Sequence, residues 1–144
     1  MKLSTKGRYG TRAMLDLALH YGEGAILARD IAARQDISER YLEQLLISLK
    51  SAGMVRSTRG ARGGFTLAAP PSQTRVSDIV KALEGSIAPV DCVDDPGACS
   101  RMQTCVTRDV WVDIRDAVHH VLSSLTLQDL VERHTEKEAI TYHI

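Results

Sequence analysis

The sequence predicts a mainly α fold: a winged helix-turn-helix with a small β-hairpin wing, followed by a long dimerisation helix. Three observations predict it. Two short amphipathic segments flank a tight link at Gln35-Asp36-Ile37. Two alternating segments around a glycine-rich turn follow directly. An apolar repeat spaced three or four residues apart then runs from Val106 to Leu125.

The first helix is expected over 8–21, where Tyr9, Ala13, Leu17 and Tyr21 recur four apart and Gly22 and Gly24 follow. A second is expected over 28–34, burying Ile31 and Ala32. Ser38 stands where an N-cap belongs, its hydroxyl free to accept from the next turn's amides. The third helix carries the one-sided stripe Leu42, Leu45, Leu46 and Leu49, with Lys50 in its last turn and Gly53 as a left-handed terminator. Val55 to Arg59 and Phe65 to Ala68 are the two strands of the wing, Arg59 and Arg62 sit at its tip, and Pro70-Pro71 closes the unit. A short helix over 77–84 stops at Gly85.

Residues 86–105 have no periodicity and contain all three cysteines. The repeat Val106, Val110, Ile114, Ala117, Val121 and Leu125 gives about five helical turns with an apolar seam. Such a seam either packs back on its own domain or, more simply, meets its copy in a homodimer. Thr126 can cap a last helix with Asp129 three residues on, and 134–144 reads as a weakly ordered tail. The expected organisation is a DNA-binding domain over 1–70, a connecting helix and cysteine loop over 71–105, dimerisation and docking helices over 106–133, and the tail over 134–144.

Charge sharpens the functional expectation. The net charge is zero, yet residues 1–64 hold 11 Lys/Arg against 6 Asp/Glu, while 65–144 hold 7 against 12. A basic first half points to a polyanion, and the acidic half is expected to face away from it. No apolar run approaches the roughly 18 residues of a membrane span, and the first residues lack an apolar signal core, so a cytoplasmic protein is expected.

A major groove of about 12 Å admits one helix, whose leading side chains read the base edges. Those side chains are Ser38, Glu39, Arg40, Tyr41, Glu43 and Gln44. Glu43 suits a cytosine amino group, Gln44 suits adenine, and Arg40 suits guanine or phosphate. Arg59, beside Arg62 on the wing, suits a narrow minor groove, while Lys2, Lys6 and Arg8 suit phosphates. No phosphate-binding glycine loop with its lysine, nucleophile elbow or helical His-Glu-x-x-His is present, so an enzyme is not expected.

Cys92, Cys99 and Cys105 lie in one loop with C-x6-C-x5-C spacing. An odd count in a chain expected to be cytoplasmic disfavours a disulfide framework, and no C-x2-C pair suggests a zinc knuckle. On spacing alone an iron–sulfur cluster, zinc, redox-active thiols and an unremarkable loop all stay open. His20, His119, His120, His134 and His143 form no ligand spacing with the cysteines.

With these residues in view, the chain resembles the Rrf-type family of bacterial winged-helix regulators over residues 1 to about 133. The carriers are Met1 to Tyr9, Ile37 to Leu45, the wing Arg59 to Phe65, the cysteine loop followed by Trp111, and Thr126 to Leu130. Within the family, the cluster-binding branch carries three cysteines in this loop, and Cys92, Cys99 and Cys105 match them with one extra residue in the first gap. The cysteine-metabolism branch lacks that triad but resembles this chain at Leu83 to Val90, at Ile114 to Val118 and over the tail Ala139 to Ile144.

The resemblance therefore implies a homodimeric regulator binding double-stranded operator DNA. It implies an iron–sulfur cluster, 2Fe–2S or 4Fe–4S, that aerobic purification can strip, and control of cluster-assembly or cysteine and sulfur genes. The alternative it implies is a cluster-free repressor of cysteine metabolism, governed by thiol oxidation or by a partner such as a cysteine-synthesis enzyme. One departure stands out. The cluster branch takes its fourth ligand from a histidine three residues after the last cysteine, and here that position is Arg108, which stays protonated. An acidic ligand near the N-terminus, used by nitric-oxide-sensing relatives, is replaced by Arg8. Asp91, Asp94, Asp109, a histidine, a small thiol or water are left for that role.

Overall fold

The structure is a computed structural model describing residues 2–143; Met1, at the head of the N-terminal motif, and Ile144, at the end of the tail, lie outside the described residues. Its elements in order are α1 (Thr5–Leu19), α2 (Ala28–Gln35), α3 (Glu39–Ser51), β1 (Val55–Thr58), β2 (Gly64–Leu67), α4 (Val76–Glu84), α5 (Asp91–Asp94), α6 (Val106–Ser123) and α7 (Leu127–Tyr142), with single 3-10 turns at Pro71–Gln73 and Pro96–Ala98.

The helix-turn-helix closes as its residues dictate. Asp36 takes a left-handed conformation (φ 53°), which a short polar side chain tolerates, and turns α2 into α3. Ser38 Oγ accepts from the Tyr41 amide at 3.2 Å, and Gly53 follows α3 with φ 77°. The predicted stripe Leu42, Leu45, Leu46 and Leu49 is buried against Ala13, Met14 and Leu17 of α1. Each fully buried Leu or Met contributes about 2 kcal/mol, so these contacts outweigh any single polar bond on the surface.

β1 and β2 pair antiparallel, Val55 opposite Leu67 and Thr58 opposite Gly64. The base of this wing is pinned by reciprocal backbone bonds between Ile26 and Phe65 of 2.9 and 2.8 Å. Gly64 (φ 142°) makes that approach possible, because a Cβ there would run into the Ile26 carbonyl.

The core does not stop at the wing. Ile79 and Leu83 of α4 and Leu127 of α7 belong to the same buried cluster as Met14, Ile31 and Leu46. Two backbone bonds of 2.9 Å, Val76 N to Leu125 O and Leu127 N to Thr74 O, tie the start of α4 to the α6–α7 junction. Thr126 and Asp129 form the reciprocal cap predicted for α7. The Thr126 amide, with its hydroxyl, holds the Asp129 carboxyl below its usual value. A depressed carboxyl stabilises above the ordinary carboxylate range, so this cap contributes fully above about pH 4 and is lost as pH falls through the lowered value.

The tail differs from expectation. In place of weakly ordered chain, α7 continues without a break to Tyr142, and His134 and Glu138 stand 3.2 Å apart one turn along it. The last turns are mostly polar and exposed, with Ile140 and Tyr142 too few to make an apolar stripe.

One buried charge holds α1 to α2. Asp16 is 1% exposed and accepts from Arg34 Nε (3.0 Å), Arg34 Nη2 (2.8 Å) and Gln35 Nε2 (3.0 Å). The Asp16 hydrogen bond raises the Arg34 guanidinium above its already high value. Replacing Asp16 by Ala leaves these donors without a partner, but Arg34 is 39% exposed and regains water. The expected loss is therefore about 2 kcal/mol, short of that for a fully enclosed pair. Arg29→Ala, which breaks only an exposed pair with Asp30 at 3.9 Å, is expected to shift stability by under about 0.5 kcal/mol. Urea titrations of the two variants measure this, and equal losses would contradict it.

Candidate nucleic-acid interface and cysteine loop

Folding α3 onto α1 through its leucines turns the opposite face outward. Ser38, Glu39, Arg40, Glu43 and Gln44 are all exposed on that face. Arg59 and Arg62 are exposed at the wing tip, and Lys2 is exposed ahead of α1. Tyr41 is placed differently from its neighbours. Its half-buried ring meets Tyr9 edge-on at 6.1 Å between centroids, and its hydroxyl lies 3.0 Å from Thr5 Oγ1. Tyr41 therefore anchors the leading turn of α3 to α1, leaving little of its ring for a ligand. Arg8 and Arg12 lie over the Tyr9 ring at 5.6 and 5.3 Å, which stiffens the same corner.

Ile47 escaped the sequence reading. It follows Gln44 by three residues and Glu43 by four, so it extends the outward face, and it is 61% exposed. Its signal was available: a branched apolar residue standing off the leucine stripe.

The cysteine loop is built from short turns. α5 carries Cys92, the Pro96–Ala98 turn is capped by the Asp95 side chain, and Cys105 forms the N-cap position of α6. Cys92 and Cys105 are half-buried, Cys99 is exposed, and all three are free thiols. Thr107 Oγ1 lies 3.2 Å from Cys105 Sγ, and this bond, with the Arg108 amide, lowers the Cys105 thiol below its usual value. Arg108, in the place where the cluster branch has a histidine, donates from Nε to the Cys92 carbonyl at 3.1 Å and fastens the loop to α6.

Three free cysteines in one loop suit iron–sulfur chemistry. The placement does not assemble them: among the described residues no three His, Cys, Asp or Glu side chains come together as a metal site. Two of the histidines are engaged elsewhere, His20 bonded to the Asp16 carbonyl at 2.9 Å and His134 facing Glu138, while His119 lines a cavity with Asp94 of the loop.

Beyond the loop, α6 has no buried residue. Val106 is 77% and Val121 56% exposed, with Val110 and Trp111 exposed between them on the predicted seam. Among the described residues no helix is long and apolar enough to cross a membrane.

Comparison with known proteins gives a consistent result. The family model for Rrf2, described as an iron-dependent transcriptional regulator, matches residues 3–133. The chain is similar to protein Rrf2 of Nitratidesulfovibrio vulgaris, 45% identical over 91% of this chain and 87% of that one. It is also similar to the transcriptional regulator CymR of Bacillus subtilis, 43% identical over the full length of both. The solved structure of that CymR, described as the global cysteine regulator of its organism, superposes with a TM-score of 0.79, covering 92% of this chain and 98% of the other. The structure of T. potens IscR also reaches 0.79 at 43% identity, covering 95% of this chain and 90% of its own.

The thiol geometry makes a checkable statement. The rate of Cys105 alkylation by iodoacetamide, followed site by site by mass spectrometry, is expected to rise with pH around a midpoint below that of an ordinary thiol. Thr107→Val is expected to move that midpoint up. An unmoved midpoint would show that the hydroxyl does not stabilise the thiolate.

Proposed function

The chain belongs to the Rrf2 family of transcriptional regulators, and from that premise we propose that it works as a homodimer gripping operator DNA, governed through its three-thiol loop. The observation that carries the DNA reading is the outward face of α3, capped by Ser38 and flanked by the arginine-bearing wing. In a major groove Arg40, Glu43 and Gln44 meet base edges, and Ile47 meets a thymine methyl. Arg59 and Arg62 enter or border the minor groove, and Lys2 neutralises a phosphate. The exposed Val106, Val110 and Val121 seam supports dimerisation, which sets two α3 helices about 34 Å apart, one turn of DNA.

For the signal, the reading we propose first is an iron–sulfur cluster held by Cys92, Cys99 and Cys105, supported by three free thiols in one loop and by the likeness to IscR. Bound there, the cluster would supply a centre sensitive to oxygen and iron supply. The second reading is a cluster-free regulator of cysteine metabolism, acting through thiol oxidation or an enzyme partner. Arg108 favours it, being bonded to the Cys92 carbonyl where the cluster branch has its fourth ligand, as does the full-length likeness to CymR.

Two experiments test this. A duplex selected from a randomised library by the full chain is expected to bind Gln44→Ala about tenfold or more weakly, with discrimination relaxed at one base pair. Lys2→Ala should instead weaken all duplexes alike and reduce the salt slope by about one. Loss of sequence preference in neither variant would contradict the assignment of α3. Anaerobic reconstitution with iron and sulfide is expected to give visible absorption with iron and sulfide in stoichiometric ratio. Replacing all three cysteines by Ala should remove the colour and leave a folded dimer. A protein that stays colourless while binding its duplex selects the second reading.

A further inference from the structure

The carboxylate of Glu84 joins the end of α4 to the leading turn of α1. Glu84 is the last residue of α4, and Gly85 after it (φ 74°) begins the chain leading to the cysteines. Its Oε1 accepts from the Ser4 amide at 2.8 Å, the Ser4 hydroxyl at 2.5 Å and the Gly7 amide at 3.0 Å. Ser4 occupies the N-cap position of α1 but makes no side-chain cap of its own, so a residue 80 positions away supplies the cap. A carboxylate at a helix N-terminus also meets the favourable end of the helix dipole.

Gly7 is required by this arrangement: a Cβ there would collide with Glu84 Oε1. Between Ser4 and Gly7 stands Thr5, whose hydroxyl meets Tyr41 at the leading turn of α3. The same stretch therefore faces the loop side through Glu84 and the leading turn of α3 through Tyr41.

Resting on the proposed role of the loop and of α3 in DNA reading, we propose that Glu84 is the positioning residue that couples the cysteine loop to the recognition helix. A change in the loop pulls on Gly85 and Glu84, shifts the N-terminal turn of α1, and re-aims Arg40, Glu43 and Gln44 through the Thr5–Tyr41 contact. The loop state that keeps the Glu84 cap and the state that strains it then differ in DNA affinity, as coupling between two sites requires.

The test uses the full-length dimer, the library-selected duplex and iodoacetamide, which modifies only this loop because all three cysteines lie in it. Alkylation of the wild type is expected to change affinity for the duplex by about fivefold or more, in the range of ordinary coupling. In Glu84→Ala the change should fall below about twofold, and Glu84→Gln, which keeps an acceptor oxygen, should restore it. Gly7→Ala displaces the carboxylate from the other side and, adding helix propensity, should also uncouple without unfolding the chain. An alkylation effect undiminished in both Glu84→Ala and Gly7→Ala, or absent from the wild type, overturns the proposal. Failure of the wild type to select any duplex would overturn the DNA reading itself.

Discussion

α2, α3, α4 and α7 all pack on α1, and the end of α4 comes so close because two α1 residues have no side chain. Gly7 and Gly10 open a flat strip along which the end of α4 lies so close that a Cβ at either would meet Glu84 or Leu83. That approach lets Ile79 and Leu83 complete a core begun by Met14, Leu42 and Leu46. It also joins the acidic, cysteine-bearing half of the chain to the basic, DNA-facing half. With a wider gap, Glu84 would not reach the Ser4 and Gly7 amides, and the cap on α1 would be lost.

Charge works in two distinct ways. Inside, Asp16 is buried and matched by three donors, so it fixes how α2 sits on α1. Outside, Lys2, Arg40, Arg59 and Arg62 stay exposed on the leading segment, α3 and the wing, where field and reach matter more than stability. Tyr41 lies at the boundary between the two. Its ring is invested in Tyr9, and its neighbours Arg40 and Glu43 are left to solvent.

What was legible in the sequence is what local physics decides. The Ser38 cap, the Gly53 stop, the leucine stripe, the hairpin and the Thr126–Asp129 box each involve residues a few positions apart, and each stands where the pattern put it. Asp16 and Glu84 were opaque for the opposite reason. A carboxylate on a helix looks solvated until its partners, 18 and 80 residues away, are brought to it. The mostly polar last turns of α7 gave no stripe to follow, and the loop gave its three thiols but no sign of how they are disposed. Ile47 was visible and passed over because the leucine pattern beside it was complete.

If α3 and the wing meet DNA, α1 carries the consequence toward the loop. Hydrogen exchange of the dimer with and without its selected duplex tests it directly. Slowed exchange is expected over 39–47, at the wing tip and at residues 4–8, with α7 unchanged. Protection confined to α6 and α7, with α3 exchanging as in the free protein, would contradict it.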